Sequence, residues 1–188
     1  DRADVKAGEW VAVHGTGGIG LSVLLLAKML GAQVVVVDIV EEKLEHAKQH
    51  GADATVNAAK VDVASAIHDI TGGGAQVSIE ALGIEATTNA SIECLAILGR
   101  HVQVGMPSGS GQMQVNMRAI YAKQLAFFGT RGMPSWKYPR LLGMIERGDV
   151  DIRPMVAREI PLSGASAELR AMNGPTSPGT AVIMDLQA

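Results

Sequence analysis

Cysteine, aromatic residues and excess charge are all scarce in this chain of 188 residues. A single cysteine excludes a disulfide framework and a cysteine-rich zinc site built from these residues. The net charge of −3 argues against a broad surface for nucleic acid or for an anionic membrane. The apolar runs are too short to cross a bilayer, so we expect no membrane association and a cytoplasmic location.

Aliphatic residues and glycine are what the chain has in quantity. Hydrophobic residues make up 47% of it and aromatic residues only 3%, so a core must come from Val, Ile, Leu, Ala and Met. This much apolar surface excludes a disordered chain, because burial can offset the entropy lost on ordering. The length predicts one domain of about 150 residues and a remainder.

Short β-branched runs alternate with longer helical patterns. Helices are predicted over Gly18–Leu30, Glu41–His50, Val61–Ile70, Ala86–Leu98 and Ser135–Arg147. Strands are predicted over Trp10–His14, Gln33–Asp38, Ala54–Val56, Gln76–Glu80, His101–Val104 and Leu125–Phe128. The unbroken valines of Gln33–Asp38 indicate burial on both faces, as in a parallel sheet. The pattern predicts an α/β fold over residues 1–152, a doubly wound six-stranded parallel sheet of the Rossmann type.

Residues 153–188 have a different composition. Four of the seven prolines fall here, at Pro154, Pro161, Pro175 and Pro178. Two short extended runs, Val156–Ile160 and Thr180–Leu186, flank the helical pattern of Ala165–Met172. We therefore expect this segment to leave the sheet.

A G-x-G-x-x-G pattern directly follows the first predicted strand and opens the first helix. Gly15 allows the tight turn, Gly17 lets the backbone approach a pyrophosphate, and Gly20 lets helix and strand pack closely. The helix N-terminus offers free N–H groups to the phosphates. The pattern predicts a dinucleotide site formed by Gly15, Thr16, Gly17, Gly18, Ile19 and Gly20.

Asp38 ends the second strand, at the position where a carboxylate accepts hydrogen bonds from the adenosine ribose. Its charge would repel a 2′-phosphate, so NAD is favoured over NADP. Lys43, five residues on, is a further candidate for contact with that ribose.

Four separated segments then resemble one family. The runs GEWVAVHGTGGIGLS, VVVVDIVEEKLEHAKQHGAD, TGGGAQVSIEALG and GRHVQVGMP resemble, in order and spacing, the cofactor domain of medium-chain zinc-dependent alcohol dehydrogenases. The resemblance covers essentially the whole chain, and it implies that NAD(H) is the cofactor.

The resemblance also implies three further groups of cofactor contacts, all in loops after strands. These loops lie at the carboxyl ends of parallel strands, where open α/β sheets bind ligands. The residues implied are Ala81 and Leu82 beside the adenosine half, Val104, Gly105 and Met106 beside the nicotinamide, and Gly129, Thr130 and Arg131 at the carboxamide.

The family places its zinc, its zinc ligands and most of its proton relay on a preceding catalytic domain. Nothing in this chain matches that domain, and the chain begins at Asp1 rather than methionine. We therefore expect zinc only in a missing domain, no catalytic or metal-binding residue in this chain, and an alcohol, aldehyde or ketone as substrate of the full protein. Cys94 and His14 are interpreted as core residues. Arg131 and Lys123 are the cations that could lie near the nicotinamide.

The resemblance carries two structural expectations. Met113–Met117 matches an edge strand that pairs between subunits, which predicts a homodimer or a dimer of dimers. The segment from Val156 to Ala188 resembles the chain's return to the catalytic domain. Without that domain, we expect it to be partly mispaired, mobile or paired with a partner chain.

Three other functions remain open on the sequence. A zinc-free quinone or enoyl reductase of the same superfamily commonly uses NADPH, against which Asp38 argues. The second is a nucleotide-sugar or S-adenosylmethionine-dependent transferase. Methyltransferases also place an acidic residue after their second strand, but they usually have another just before the glycine loop, where this chain has Val13 and His14. The third is a module that only senses dinucleotide.

Overall fold

The computed structural model describes residues 2–107, 111–171 and 180–186. Six strands form one all-parallel sheet in the order β3-β2-β1-β4-β5-β6. They are β1 Trp10–His14, β2 Gln33–Asp38, β3 Ala54–Asn57, β4 Ala75–Glu80, β5 Leu95–Gln103 and β6 Ala126–Gly129. Six helices accompany them: α1 Gly18–Met29, α2 Glu41–Gln49, α3 Val63–Thr71, α4 Glu85–Glu93, α5 Met117–Ala122 and α6 Tyr138–Glu146. The expected doubly wound Rossmann-type sheet is confirmed.

The core lies in two layers, one on each face of the sheet, because successive strand residues point to opposite sides. One layer joins Val11 and Val13 to α1 and α2 through residues such as Leu24 and Leu44. The other joins Ala12 and Val35 to α3 and α4 through residues that include Ile67 and Cys94. Helices thus cover both faces, which explains the unbroken valines of β2. Strand order reverses between β1 and β4, and open α/β sheets bind their ligands at the carboxyl ends of the strands beside such a reversal.

The prediction of one helix over Ala86–Leu98 is wrong beyond Glu93. Leu95 pairs with Ala75 and Arg100 with Val77, so the intervening residues bulge out of the ladder at the start of β5. Leu98 adopts a left-handed conformation there, with φ of 61°. An apolar run of this length fits helix or buried strand equally well by its pattern, and here the pairing with β4 decides. The predicted helix over Ser135–Arg147 also begins later, since Ser135–Lys137 forms a 3₁₀ turn before α6.

Within the single chain the predicted edge strand over Met113–Met117 is not formed, and its pairing between two subunits stays a prediction. Residues 113–116 form no strand, and Met117 begins α5. The backbone instead binds side chains of α4: Gln114 N donates to Glu85 (2.9 Å), and Asn116 N donates to Asn89 (2.8 Å). Without a neighbouring strand, the polar backbone groups are satisfied by the adjacent helix.

The C-terminal segment forms a separate small sheet in its described part, and the expected mispairing, mobility or pairing with a partner chain stays a prediction. Its described part comprises β7 Val156–Pro161, α7 Ala165–Ala171 and β8 Thr180–Asp185. The two strands pair with each other in a separate parallel sheet with two register shifts. An ion pair between Arg158 and Glu168 joins β7 to α7. Residues 172–179 and 187–188 of this predicted segment lie outside the described residues.

None of the helices in the described part of the chain has the length and apolar character needed to cross a bilayer.

Candidate cofactor site

The glycine loop from Gly15 to Gly20 links the carboxyl end of β1 to α1. Gly15 donates a hydrogen bond to the carbonyl of Val37 (2.8 Å) and has φ of +96°, a conformation that favours glycine. A Cβ atom on Gly20 would lie 1.8 Å from the Gly15 carbonyl oxygen. These two glycines therefore allow the first turn of α1 to pack closely against the end of β1, as the sequence predicts.

The N-terminus of α1 has no side-chain cap among the described residues, although the Thr180 hydroxyl lies close to Gly18 in its first turn. Gly17 is its N-cap residue, and no described side chain caps the helix there. A Cβ on Gly17 would meet no atom within 4 Å, so its surroundings are open. The free N–H groups and the positive end of the helix dipole suit a pyrophosphate.

Asp38 lies beside this loop, held by backbone and side-chain donors. Ile39 N (2.8 Å) and Val40 N (3.1 Å) donate to its Oδ1. Thr16 donates to Oδ2 through its amide (3.0 Å) and its hydroxyl. The structure thus places Asp38, the residue predicted to bind the ribose, in contact with the glycine loop predicted to bind the phosphates. Lys43 lies in the first turn of α2, which begins three residues after Asp38.

The loop after β4 contacts the glycine loop directly. Ala81 N donates to the carbonyl of His14 (3.0 Å). Leu82 lies so close to Gly15 that a Cβ there would be 2.9 Å from its Cγ, yet its side chain is half exposed toward solvent. Both residues therefore border the crevice that the sequence assigns to the adenosine half.

The loops after β5 and β6 complete the same edge of the sheet. Val104 N and Gly105 N both donate to the Glu80 carbonyl, each at 2.9 Å. Met106 is highly exposed. Thr130 N donates to the Gln103 carbonyl (3.0 Å), which places residues 129–131 beside the β5 loop, with Arg131 exposed.

Lys123 is not at this edge, so its candidate role near the nicotinamide is wrong. Its Nζ donates to the carbonyls of Glu93 and Leu95, both at 2.7 Å. These carbonyls lie at the C-terminus of α4 and the start of β5, at the opposite end of the sheet. The ammonium satisfies carbonyls that the helix end leaves unpaired.

His14 and Cys94 are core residues, as interpreted from the sequence. His14 Nε2 and Cys94 Sγ lie 3.6 Å apart between β1 and α4. Burial lowers the pKa of His14 to about 3 and raises the pKa of the Cys94 thiol to about 12. The imidazole is therefore neutral and the thiol protonated at neutral pH. Within the described residues, no three His, Cys, Asp or Glu side chains are grouped as a metal ion requires.

Glu80, which the resemblance places only within the run beside the adenosine half, and Gln103, which our sequence reasoning missed, support the loops of the candidate site. Both side chains lie beneath the loops after β4 and β5 and hydrogen-bond to their backbone. A charged residue at the end of a buried strand is the signal that could have identified Glu80.

Comparison with known proteins gives a consistent result. The family model described as zinc-binding dehydrogenase matches residues 18–147. Sorbitol dehydrogenase of Rattus norvegicus is 33% identical over 171 residues, which is 87% of this chain and 46% of that protein. The chain therefore spans about half the length of the curated relatives that it matches.

Solved structures agree in fold and in coverage. Benzyl alcohol dehydrogenase from Acinetobacter calcoaceticus superposes with a TM-score of 0.86 and 28% identity, over 96% of this chain and 51% of that chain. A putative zinc-binding dehydrogenase from Sinorhizobium meliloti 1021, solved with NADP bound, gives a TM-score of 0.84 and 27% identity, over 95% of this chain and 52% of that chain.

Proposed function

Because the chain belongs to the zinc-binding dehydrogenase family, we propose that it is the NAD(H)-binding part of an alcohol dehydrogenase. One observation carries the proposal: the uncapped N-terminus of α1 opens beside a carboxylate, Asp38, that ends the neighbouring strand. Phosphates and a ribose diol are the groups that such a pair of features binds.

Each part of the dinucleotide has a proposed set of contacts. The amides from Gly17 to Gly20 hold the pyrophosphate, and Asp38 holds the adenosine ribose with Lys43 nearby. Ala81 and Leu82 flank the adenosine half. The nicotinamide and its carboxamide meet the residues after β5 and β6, namely Val104, Gly105, Met106, Gly129, Thr130 and Arg131. When bound, NAD supplies a hydride acceptor, and these residues bind and orient it.

We propose NAD rather than NADP because the charge of Asp38 opposes a 2′-phosphate. The Sinorhizobium meliloti relative was solved with NADP, so we base the choice of NAD on the residues of this chain rather than on the relatives. In this chain both oxygens of Asp38 accept hydrogen bonds, which hold the carboxylate beside the glycine loop.

The full protein would transfer hydride between an alcohol, aldehyde or ketone and NAD(H), with zinc supplied by a catalytic domain outside this chain. Residues 1–152 form the cofactor domain in this proposal, and residues 153–188 return to the catalytic domain. We propose a homodimer or a dimer of dimers formed through Met113–Met117, a cytoplasmic location, and no nucleic-acid or membrane partner. The buried free thiol of Cys94 is compatible with a reducing compartment.

The test is a titration of the 188-residue chain with NADH and NADPH, followed by the change in nicotinamide fluorescence. We expect saturable binding of NADH, weaker binding of NADPH, and competition by ADP-ribose. We also expect no oxidation of alcohols by the chain alone. Tighter binding of NADPH would favour a quinone or enoyl reductase, and no binding of either dinucleotide would contradict the proposal.

A further inference from the structure

Glu80 is a carboxylate without solvent exposure, at the last position of β4. Burying an ionised carboxylate is costly unless donors satisfy it. Its donors are Leu82 N (2.9 Å), Gly83 N (2.9 Å), the Thr87 hydroxyl (2.7 Å) and the Gln103 amide (2.5 Å). The amides of Leu82 and Gly83 belong to the loop directly after the strand. Their hydrogen bonds to the Glu80 carboxylate therefore turn this loop back toward the end of β4.

Gln103 occupies the equivalent place at the end of β5, where it pairs with Glu80 in the strand register. Its Nε2 donates to Glu80 and to the carbonyl of Gly105 (2.9 Å). Its Oε1 accepts from the Thr88 hydroxyl (3.2 Å) and lies 3.2 Å from His101 Nε2. These neighbours fix which end of the carboxamide faces Glu80, because the opposite orientation would place an oxygen against the carboxylate.

The two loops touch backbone to backbone above this pair. A Cβ on Gly83 would lie 2.0 Å from the Met106 carbonyl oxygen, and one on Gly105 would lie 2.2 Å from Gly83 N. Gly105 N donates in turn to the Glu80 carbonyl. With no side chain between the loops, a shift of either one moves the other.

We propose that Glu80 and Gln103 are positioning residues that hold the loops after β4 and β5 in the single arrangement that binds both halves of the dinucleotide. The inference rests on the proposed function, since the loops carry Leu82 and Gly105, two proposed cofactor contacts. Neither side chain needs to touch the cofactor. Their effect on binding is transmitted through the backbone of Leu82, Gly83 and Gly105.

An exchange of the two residues tests the pairing. Glu80→Gln replaces one acceptor oxygen with an amide donor, so whichever way the amide turns it faces donors that the carboxylate had satisfied. Gln103→Glu sets two carboxylates face to face. We expect each single variant to raise the Kd for NADH about tenfold, the effect of losing a hydrogen bond to a charged group. The double variant restores a donor opposite an acceptor between the two side chains but leaves the Gly105 carbonyl without its donor, so we expect it to recover part of the lost affinity.

Ser78→Ala is the matched control. Ser78 lies on the same face of β4, two residues before Glu80, and is equally buried, but it bonds to Ser91 and Cys94 rather than to a loop. We expect this variant to unfold at lower urea concentration and to bind NADH within about twofold of the wild type, because it leaves the loops in place.

Amide hydrogen exchange at Gly83 and Gly105 gives a readout independent of the cofactor. We expect slow exchange in the wild-type chain, fast exchange in the single variants, and an intermediate rate in the double variant. If Glu80→Gln fails to fold, the shape-conserving Gln103→Met carries the test with the same expectations as the other single variants.

The proposal is overturned if folded single variants bind NADH as tightly as the wild type, or if the losses simply add in the double variant. A wild-type chain that binds no NADH contradicts the proposed function instead. In that case amide hydrogen exchange alone tests the positioning role of Glu80 and Gln103. Equal exchange rates in the wild type and all variants would contradict that role.

Discussion

Thr16 and Asp38 join the glycine loop to the end of the second strand through one carboxylate oxygen. The amide and the hydroxyl of Thr16 both donate to Asp38 Oδ2, while Oδ1 is held by the backbone of residues 39 and 40. The carboxylate is therefore fixed in place before any ligand arrives. Pre-organisation of this kind lowers the entropy that binding must overcome.

Asp38→Asn is expected to weaken NADH binding about tenfold, because the ribose loses a charged acceptor. The affinity for NADPH is expected to rise, since the repulsion of a 2′-phosphate is removed. Titration of both dinucleotides by fluorescence measures the two changes. Asp53→Asn is the control, because Asp53 holds Val34 N (2.7 Å) and Lys28 at the other end of β2. An equal loss of NADH affinity in both variants would contradict the assigned role of Asp38.

Gly17→Ala and Gly20→Ala are expected to separate binding from folding. The space at Gly17 is open, so alanine there leaves urea stability within about 1 kcal/mol. It places a methyl group where the pyrophosphate approaches, and we expect NADH binding to fall about tenfold or more. Gly20→Ala drives a Cβ into the Gly15 carbonyl and is expected to cost about 3 kcal/mol or more. Unchanged NADH affinity in a folded Gly17→Ala chain would contradict the placement of the phosphates.

Lys123→Met is expected to lower the free energy of unfolding by about 1–2 kcal/mol, because one carbonyl at the end of α4 and one at the start of β5 lose a charged donor. NADH affinity should not change, since Lys123 lies at the far end of the sheet. Lys60→Met, which breaks an exposed ion pair with Glu41, should change stability by less than about 0.5 kcal/mol. Urea unfolding compares the two variants, and equal losses of stability would argue against a stabilising role of Lys123 at the end of α4.

Stability is expected to fall as the pH drops below about 6.5, the ordinary pKa of histidine. The unfolded chain then binds a proton at His14, but the folded chain does not until about pH 3. Between pH 7.5 and pH 5 this difference lowers the free energy of unfolding by about 2 kcal/mol. Burial also lowers the pKa of His101, which acts in the same direction. Urea unfolding of His14→Gln at pH 7.5 and pH 5 should show a smaller loss of stability than the wild type shows. The same loss in both proteins would contradict the assigned role of His14.

Much of the fold follows from local pattern. The bounds of β1 and β2, the glycine loop and the position of Asp38 are all predictable, because strand, turn and helix signals agree there. The change from helix to strand after Glu93 is not predictable in this way. It depends on pairing with β4 and on Lys123, which lies 30 residues further along the chain.

The same distinction holds within the site. The glycines and Asp38 are identifiable because their chemistry is local and their spacing is fixed. Glu80 and Gln103 are adjacent only across two strands and are 23 residues apart in the chain. Their relationship requires the register of the sheet, which no local pattern supplies.

The central claim is that this chain binds NAD(H) along the carboxyl edge of its sheet. The most direct test follows the backbone amide NMR signals of the ¹⁵N-labelled chain while NADH is added. We predict saturable shifts at the amides of Gly15, Gly17, Gly20, Leu82 and Gly105, with little change at Leu95 and Lys123 at the opposite edge. The absence of shifts at the glycine loop, or shifts confined to the opposite edge, would contradict the account.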